Sequence, residues 1–540
     1  MASVPEKTLP HSPLLRRILI VAFSIVVVFF AAAAIAIHAL KPRIHAMVRD
    51  KTAKVLESHF QSQIEFDDFE VSLYPRVYVT ITGLVMRHHG RTDIPPLVQV
   101  RKATVYANLR SVLRGDPHIA LVVLDGLQIH TPPRSSSGPP LFSKTDQDLA
   151  KKYPAFIEEL RADDALIVVL PSQTGKTPRE FPIHHLLLRN LSFDRPADFQ
   201  ASLENAMPTG EINATGQFGP WNAEEPADTP GAGKYTFRNA DMGTLKGLSG
   251  TLSSDGSFSG PLDYLKVDGT TDIPNFSLRT SDHPMALHTD FSAIVDGTNG
   301  DTYLNSVTAK FLHTTLDVKG EIVDVSRDIK GRTIVLDAVS RNARAEDLIL
   351  IAVKGGGPPI MTGAVQLRAH IDIPEGESDL LSRLKLKGQF GIDQGQFTST
   401  QVQGKIDTLS RKGQGHPKDM DIAGVDSQMK GSFQMGNAVM DFSNLSFDVP
   451  GASINLSGTY GLDSGALDFH GKLMLNAKLS QMTTGVKSFF LKAVDPFFEK
   501  GTTGTVLSIR ITGTKDHPSF GLDHGGGSNK NEPTQAKTGH

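Results

Sequence analysis

The hexapeptide Val77-Tyr78-Val79-Thr80-Ile81-Thr82 alternates without a break. In an extended chain successive side chains point to opposite faces, so Val77, Val79 and Ile81 share one side and Tyr78, Thr80 and Thr82 the other. A period of two, built from β-branched residues, predicts a strand with one buried face. The same pattern spreads outward from this point. Val98–Leu109 and Ile119–His130 read as strands, with Leu113-Arg-Gly-Asp-Pro117 as the turn between them. Ala165–Leu170 and Ile183–Phe193 resume the pattern after a surface loop at Pro132–Pro140. From Gly210 to Asp523 the chain is almost wholly short strands punctuated by Gly, Asp and Pro, as in Gly256-Ser-Phe-Ser-Gly260, Ala309–Gly320 and Gly451-Ala-Ser-Ile-Asn-Leu-Ser-Gly458. The 49 glycines fall mostly between such runs. Loose self-similarity is present, with alternating strands ending on Gly269, Gly320 and Gly458, but no fixed period marks a named repeat.

Helical spacing is confined to a few places. Ile44, Met47, Val48, Val55 and Phe60 lie on one face of a predicted helix over Arg43–Phe60. Leu149, Tyr153, Phe156, Ile157 and Leu160 predict a second, and Leu479, Met482, Val486, Phe489, Phe490, Ala493 and Phe497 a third. The longest apolar run is Ile18–Ile37, uncharged throughout, which as a helix spans about 30 Å, the thickness of a bilayer's hydrocarbon core. A cleaved secretory signal is the alternative. The run is longer than a usual signal core and is followed by Lys41 and Arg43, which favours a retained anchor. Ile18, Val21, Phe23, Val27, Phe30, Ile35 and Leu40 are its anchoring residues. The predicted organisation is a cytoplasmic tail (1–17), a transmembrane helix (18–40), an N-terminal αβ region (41–200), a β body (201–478), a C-terminal helix and strand (479–523) and a disordered tail (524–540).

Composition excludes several chemistries. With no cysteine in 540 residues there is no disulfide, thiolate metal site or cysteine nucleophile. A net charge of −3 gives no basic footprint for nucleic acid. Ser172-Gln-Thr-Gly-Lys-Thr177 ends like a phosphate-binding loop, but Leu170 stands where the first glycine is required, so no nucleotide site is expected. His88-His89 and His184-His185 are adjacent pairs whose side chains diverge on a strand and cannot chelate as they stand. Neither H-E-x-x-H nor G-x-S-x-G occurs, and the aspartates cluster in turns where backbone capping accounts for them. No enzyme activity, cofactor or metal is expected. What remains is a long apolar sheet surface. A second sheet covers it in a sandwich or flattened barrel; acyl chains cover it in an open groove. Periodicity leaves both open.

Three blocks of sequence, in order, resemble AsmA-family proteins. The first is Lys54–Ser58, Ile64-Glu-Phe-Asp-Asp-Phe-Glu-Val-Ser-Leu-Tyr-Pro-Arg76, Leu113-Arg-Gly115 and Leu124-Asp-Gly-Leu-Gln-Ile129. The second is Val267–Phe276, Asp296–Asp301 and Phe311–Thr315; the third is Leu456–Tyr460, Asp495-Pro-Phe497 and Ile511–Pro518. The resemblance implies an inner-membrane anchor, a periplasmic body and a link to outer-membrane biogenesis. It also implies an architecture similar to the bridge-like lipid-transfer proteins: an elongated, curved antiparallel β-sheet groove with a few amphipathic helices that conducts membrane phospholipid. On that implication Val77, Val79, Ile81, Phe433, Met435, Ile454, Leu456, Leu467, Phe469, Leu473 and Leu475, chosen by alternation, line the groove. A protein partner in the periplasm or outer membrane is implied at the far end. The competing expectation is a tethered scaffold that modulates outer-membrane protein assembly without binding lipid.

Overall fold

A computed structural model of the chain describes residues 62–72, 78–88, 92–107, 118–131, 156–169, 178–192, 195–220, 222, 226–279, 281, 283–325, 331–353, 357–477 and 505–523. The anchor residues Ile18, Val21, Phe23, Val27, Phe30, Ile35 and Leu40, the helix expected over Arg43–Phe60 and the phenylalanine-rich helix from Leu479 lie outside the described residues. Among the described residues no helix is long and apolar enough to cross a membrane. The fold is mainly β. It divides into two compact units, the smaller drawn from residues up to 130, 136–166 and 187–197, the larger from 131–135, 167–186 and 198 onward.

In the smaller unit β1 (Ser62–Glu65) and β2 (Asp68–Ser72) each pair antiparallel with β3 (Tyr78–His88). β3 pairs with β4 (Val98–Ala107), and β4 with β5 (His118–Thr131). The alternation of the opening hexapeptide sets this register: Val79 lies opposite Val71 and Val105, and Ile81 opposite Phe69 and Ala103. Phe69, Ile81, Val100 and Ala103 are buried on the shared face.

β6 (Phe156–Val169) corrects the second predicted helix from Phe156 onward. Arg161 donates from Nε to Glu159 Oε1 at 2.5 Å, a contact between side chains two apart that a strand makes on one face and a helix does not. Glu159 also meets Arg189 of β7 (Arg179–Ser192) at 3.4 Å, so cross-strand pairing wins over a helical spacing only a few residues long. β8 (Ala197–Ala206) follows.

The larger unit continues with β9 (Thr209–Phe218), β10 (Pro230–Asp241), the short β11 (Leu248–Ser249), β12 (Thr251–Pro261), β13 (Leu265–Leu278), β14 (Met285–Val295), β15 (Thr302–Phe311), β16 (Thr314–Val323), β17 (Thr333–Arg344) and β18 (Met361–Ile373). It ends with β19 (Lys385–Phe397), β20 (Ser427–Gly436), β21 (Val439–Val449), β22 (Ala452–Gly461), β23 (Ala466–Leu475), β24 (Thr505–Thr514) and β25 (Pro518–Leu522). Pairing is antiparallel and follows chain order, with β12 beside β10 and β11 set against the end of β13. Such a meander has two long margins where strands end. The upper margin carries α1 (Ala345–Ala352) and α3 (Thr400–Gly413); the lower carries the tighter turns and the one-turn α2 (Leu380–Arg383).

These helices lie within a region read from its sequence as almost wholly short strands. In α3 the signal was present: Val402, Ile406 and Leu409 recur at helical spacing, Ser399 Oγ caps Val402 N at 3.4 Å, and Arg411 and Lys412 close the last turn. In α1 the run Leu348-Ile-Leu-Ile351 has no polar interval, so period alone cannot tell helix from buried strand.

The sheet of the larger unit is curled. Lys246, just before β11 on the upper margin, accepts from Leu380 N at 3.1 Å, although Leu380 leaves the lower margin after β18. Laid flat, the five strand-to-strand steps from β13 to β18 alone would set these two residues more than about 20 Å apart.

Candidate functional site

The register defines the two faces of the larger unit. From β9 to β25 the ladder positions that share the inner face carry no charged side chain among the described residues. Residues of this face include Phe237, Val267, Phe291, Val307 and Val318, the cross-strand row Leu336, Ile371, Leu386, Met435 and Met440, and Leu456, Leu467, Ile511 and Phe520. The outer face carries the charge. Asp468, His470 and Lys472 alternate with Leu467, Phe469, Gly471 and Leu473 along β23 alone. On that face His288 lies between Asp272 and Asp290, and the hydrogen bond that the ring makes to Asp272 leads in holding the imidazole's pKa above its ordinary value.

The inner face owes its relief to glycine. Gly233-Lys-Tyr235 on β10 runs against Gly256-Ser-Phe258 on β12, so Gly233 lies opposite Phe258 and Tyr235 opposite Gly256. Gly388-Gln-Phe390 on β19 and Gly431-Ser-Phe433 on β20 repeat this reciprocal exchange. Each ring fills the space its glycine leaves: a Cβ on Gly388 would stand 2.7 Å from Phe433 Cζ. Phe433, Phe390, Phe442 and Phe469 then form a chain of rings with centroids 6.3, 6.4 and 5.7 Å apart.

Cover over this face is uneven. At the upper margin α1 and α3 roof it. Met361, Phe447, Val449, Ala452, Leu473 and Leu475 form a buried cluster against Ile349 of α1 and Ile406 and Leu409 of α3. α3 is fixed there by Ser410 Oγ donating to Pro450 O at 2.8 Å, and by Ala477 N donating to Gly413 O at 3.0 Å. Its Asp407 is buried and accepts from Val425 N at 3.0 Å, Gly424 N at 3.1 Å and Gln403 Nε2 at 2.9 Å. Burial pushes this carboxyl's pKa up, but the Val425 and Gly424 amides, Gln403 and the Arg411 charge together hold it below the ordinary range. Toward the lower margin neither α1 nor α3 is packed on the face among the described residues. Phe291, Leu304, Val318, Leu336, Leu367, Phe390, Phe442 and Leu456 there keep partial exposure.

Of the predicted lining residues, eight share this one face on neighbouring strands: Phe433, Met435, Ile454, Leu456, Leu467, Phe469, Leu473 and Leu475. They differ in accessibility. Ile454, Leu456 and Leu467 are half-buried, Phe433 and Phe469 belong to the ring chain, and Leu473 and Leu475 are core beneath α3. Val79 and Ile81 sit instead on β3 of the smaller unit, where Ile81 is buried core, and Val77 lies outside the described residues. The alternation rule missed the part-exposed residues of β12–β19, although it applies to them equally. Among the described residues there is no group of acidic or histidine side chains that could hold a metal ion.

Comparison with protein-family models, curated proteins and solved structures gives no match to this chain.

Proposed function

We propose that the larger unit binds the acyl chains of membrane phospholipid on its inner face and carries them between membranes, without catalysis. The carrying observation is the uncharged inner face of β9–β25, whose large side chains keep partial exposure toward the lower margin. A sealed core would bury them; at about 25 cal/mol per Å² a long exposed apolar strip is costly unless a ligand covers it. Acyl chains match this surface because they need neither hydrogen bonds nor counter-ions. The resemblance to AsmA-family proteins supports the same reading and extends it. On that extension Ile18–Leu40 anchors the chain in the inner membrane, the body works in the periplasm in support of outer-membrane biogenesis, and a partner protein receives the lipid.

The test is lipid extraction and mass spectrometry on the protein purified without detergent, beside Leu367→Asp and Leu456→Asp. These two half-buried positions tolerate a charge better than Phe433 or Phe469 would. Bound phospholipid in the parent, lost in both folded variants, is the expected outcome. A lipid-free, folded parent would replace the reading with the tethered scaffold.

A further inference from the structure

The inner face is crossed by a structure that a simple open groove does not need. The segment between β18 and β19 leaves the lower margin and reaches the upper margin beside β11. There Leu380 N donates to Lys246 O at 3.1 Å, Lys246 Nζ donates to Glu377 O at 2.9 Å, and Arg279 Nε meets Asp379 Oδ2 at 3.0 Å. Gly247 lets the two backbones approach: its φ is +103°, and a Cβ there would stand 3.0 Å from Asp379 Oδ1. On the upper-margin side, Leu245, Leu248 and Ile351 pack on Met242, Ile273 and Phe276. Ile351 belongs to α1, whose Leu348 packs on the Ala343–Val365 cluster and whose Ile349 packs on the cluster beneath α3. A single short helix thus joins three apolar clusters of the inner face, close to where the strap crosses.

The two parts are held differently. The start of α1 is fixed by buried Asp347, which accepts from His313 N at 2.8 Å and Thr314 Oγ1 at 2.9 Å. The contacts that join the strap to the upper margin include two hydrogen bonds and one ion pair at solvent-accessible positions, whereas the strands beside it are joined by ladders of backbone bonds. None of these latch contacts belongs to the strand ladder itself.

We infer that the strap Pro374–Arg383, latched to Lys246, Gly247 and Arg279, is a lateral gate over the acyl-chain face. In this assignment, which rests on the lipid-binding reading above, the latched strap closes the mouth over β13–β18. Opening it lets acyl chains enter sideways while a polar headgroup stays in water. Free passage along the whole face is then interrupted at α1, and the gate governs exchange rather than retention.

The absence of cysteine makes the test clean. A Lys246→Cys/Leu380→Cys pair, at residues already in backbone hydrogen-bond contact, locks the latch when oxidised and frees it when reduced. The full-length chain is mixed with palmitoyl-oleoyl phosphatidylcholine donor vesicles holding a trace of fluorescent phosphatidylethanolamine, and with unlabelled acceptor vesicles. Lipid transfer and lipid retained on the re-isolated protein are both read. The expected result is transfer slowed about tenfold on oxidation and restored by reductant, with Asp379→Asn transferring faster than the parent. Retained lipid together with transfer indifferent to the lock would overturn the gate and leave the binding face standing. No retained lipid in either state would overturn both.

Discussion

At the residue scale, glycine and aromatic side chains are one device. On the inner face Gly388 and Gly431 leave room that Phe433 and Phe390 fill from the neighbouring strand. The two glycines differ in what surrounds them. A methyl on Gly388 meets Arg368 O at 2.5 Å as well as the Phe433 ring, whereas on Gly431 its nearest neighbours are side-chain atoms, the ring edge of Phe390 and the tip of Leu445. Backbone cannot yield as side-chain ends can. Gly388→Ala therefore destabilises the larger unit by about 2–3 kcal/mol, and Gly431→Ala by about 1 kcal/mol or less. Urea unfolding of the two variants side by side checks the order; equal losses would mean the ring, not the Arg368 carbonyl, sets the limit. The pattern G-x-aromatic at Gly233, Gly256, Gly388 and Gly431 was legible in the sequence. Its meaning was not, because only the register places each glycine opposite a ring.

At the scale of elements, α3 shows how a roof is tied to a sheet. Asp407 anchors it through the Val425 and Gly424 amides, with a carboxyl pKa held below its unfolded value of about 3.9. The folded state therefore binds this proton less readily than the unfolded state. The resulting stability is fully present above the unfolded pKa and is lost as pH falls through the folded one. Asp407→Asn is expected to destabilise at pH 7 by about 1–3 kcal/mol. The gap to the parent should close as pH is lowered below about 4. Thermal melts across that range check it; a gap constant with pH would assign the loss to packing alone. The position of α3 was readable from Val402, Ile406, Leu409 and its cap. That it buries Leu473 and Leu475 was not: alternation makes them equivalent to Leu467, and the difference arises from a helix 60 residues earlier in the chain lying over one margin.

At the scale of the whole molecule, the larger unit is a long meander whose strands bond chiefly to their ladder neighbours, in the manner of a one-dimensional array. Stability in such an array falls toward an end strand with one partner. The five-residue β25 has only β24 among the described residues, whereas β17–β19 have partners on both sides and α1 against them. Amides of β24 and β25 are expected to exchange with solvent about tenfold or more faster than those of β17–β19. Hydrogen exchange read by mass spectrometry checks this, and uniform protection would mean the unit unfolds as one cooperative block.

The amino-acid sequence by itself determined the class of this protein and the polarity of its sheet. Side chains two apart share a face whatever the strand's surroundings, so Val79 with Ile81 and Leu467 with Phe469 were bound to fall on common apolar faces. Tertiary structure alone decided where those faces go. Curling of the larger sheet brings Lys246 to Leu380, Glu159 of β6 meets Arg189 of β7, and α1 and α3 bury one margin while leaving the other part-exposed. Period is a local property of the chain, whereas cover depends on contacts between residues far apart in it, and no local pattern encodes which apolar row will meet a helix and which will stay part-exposed.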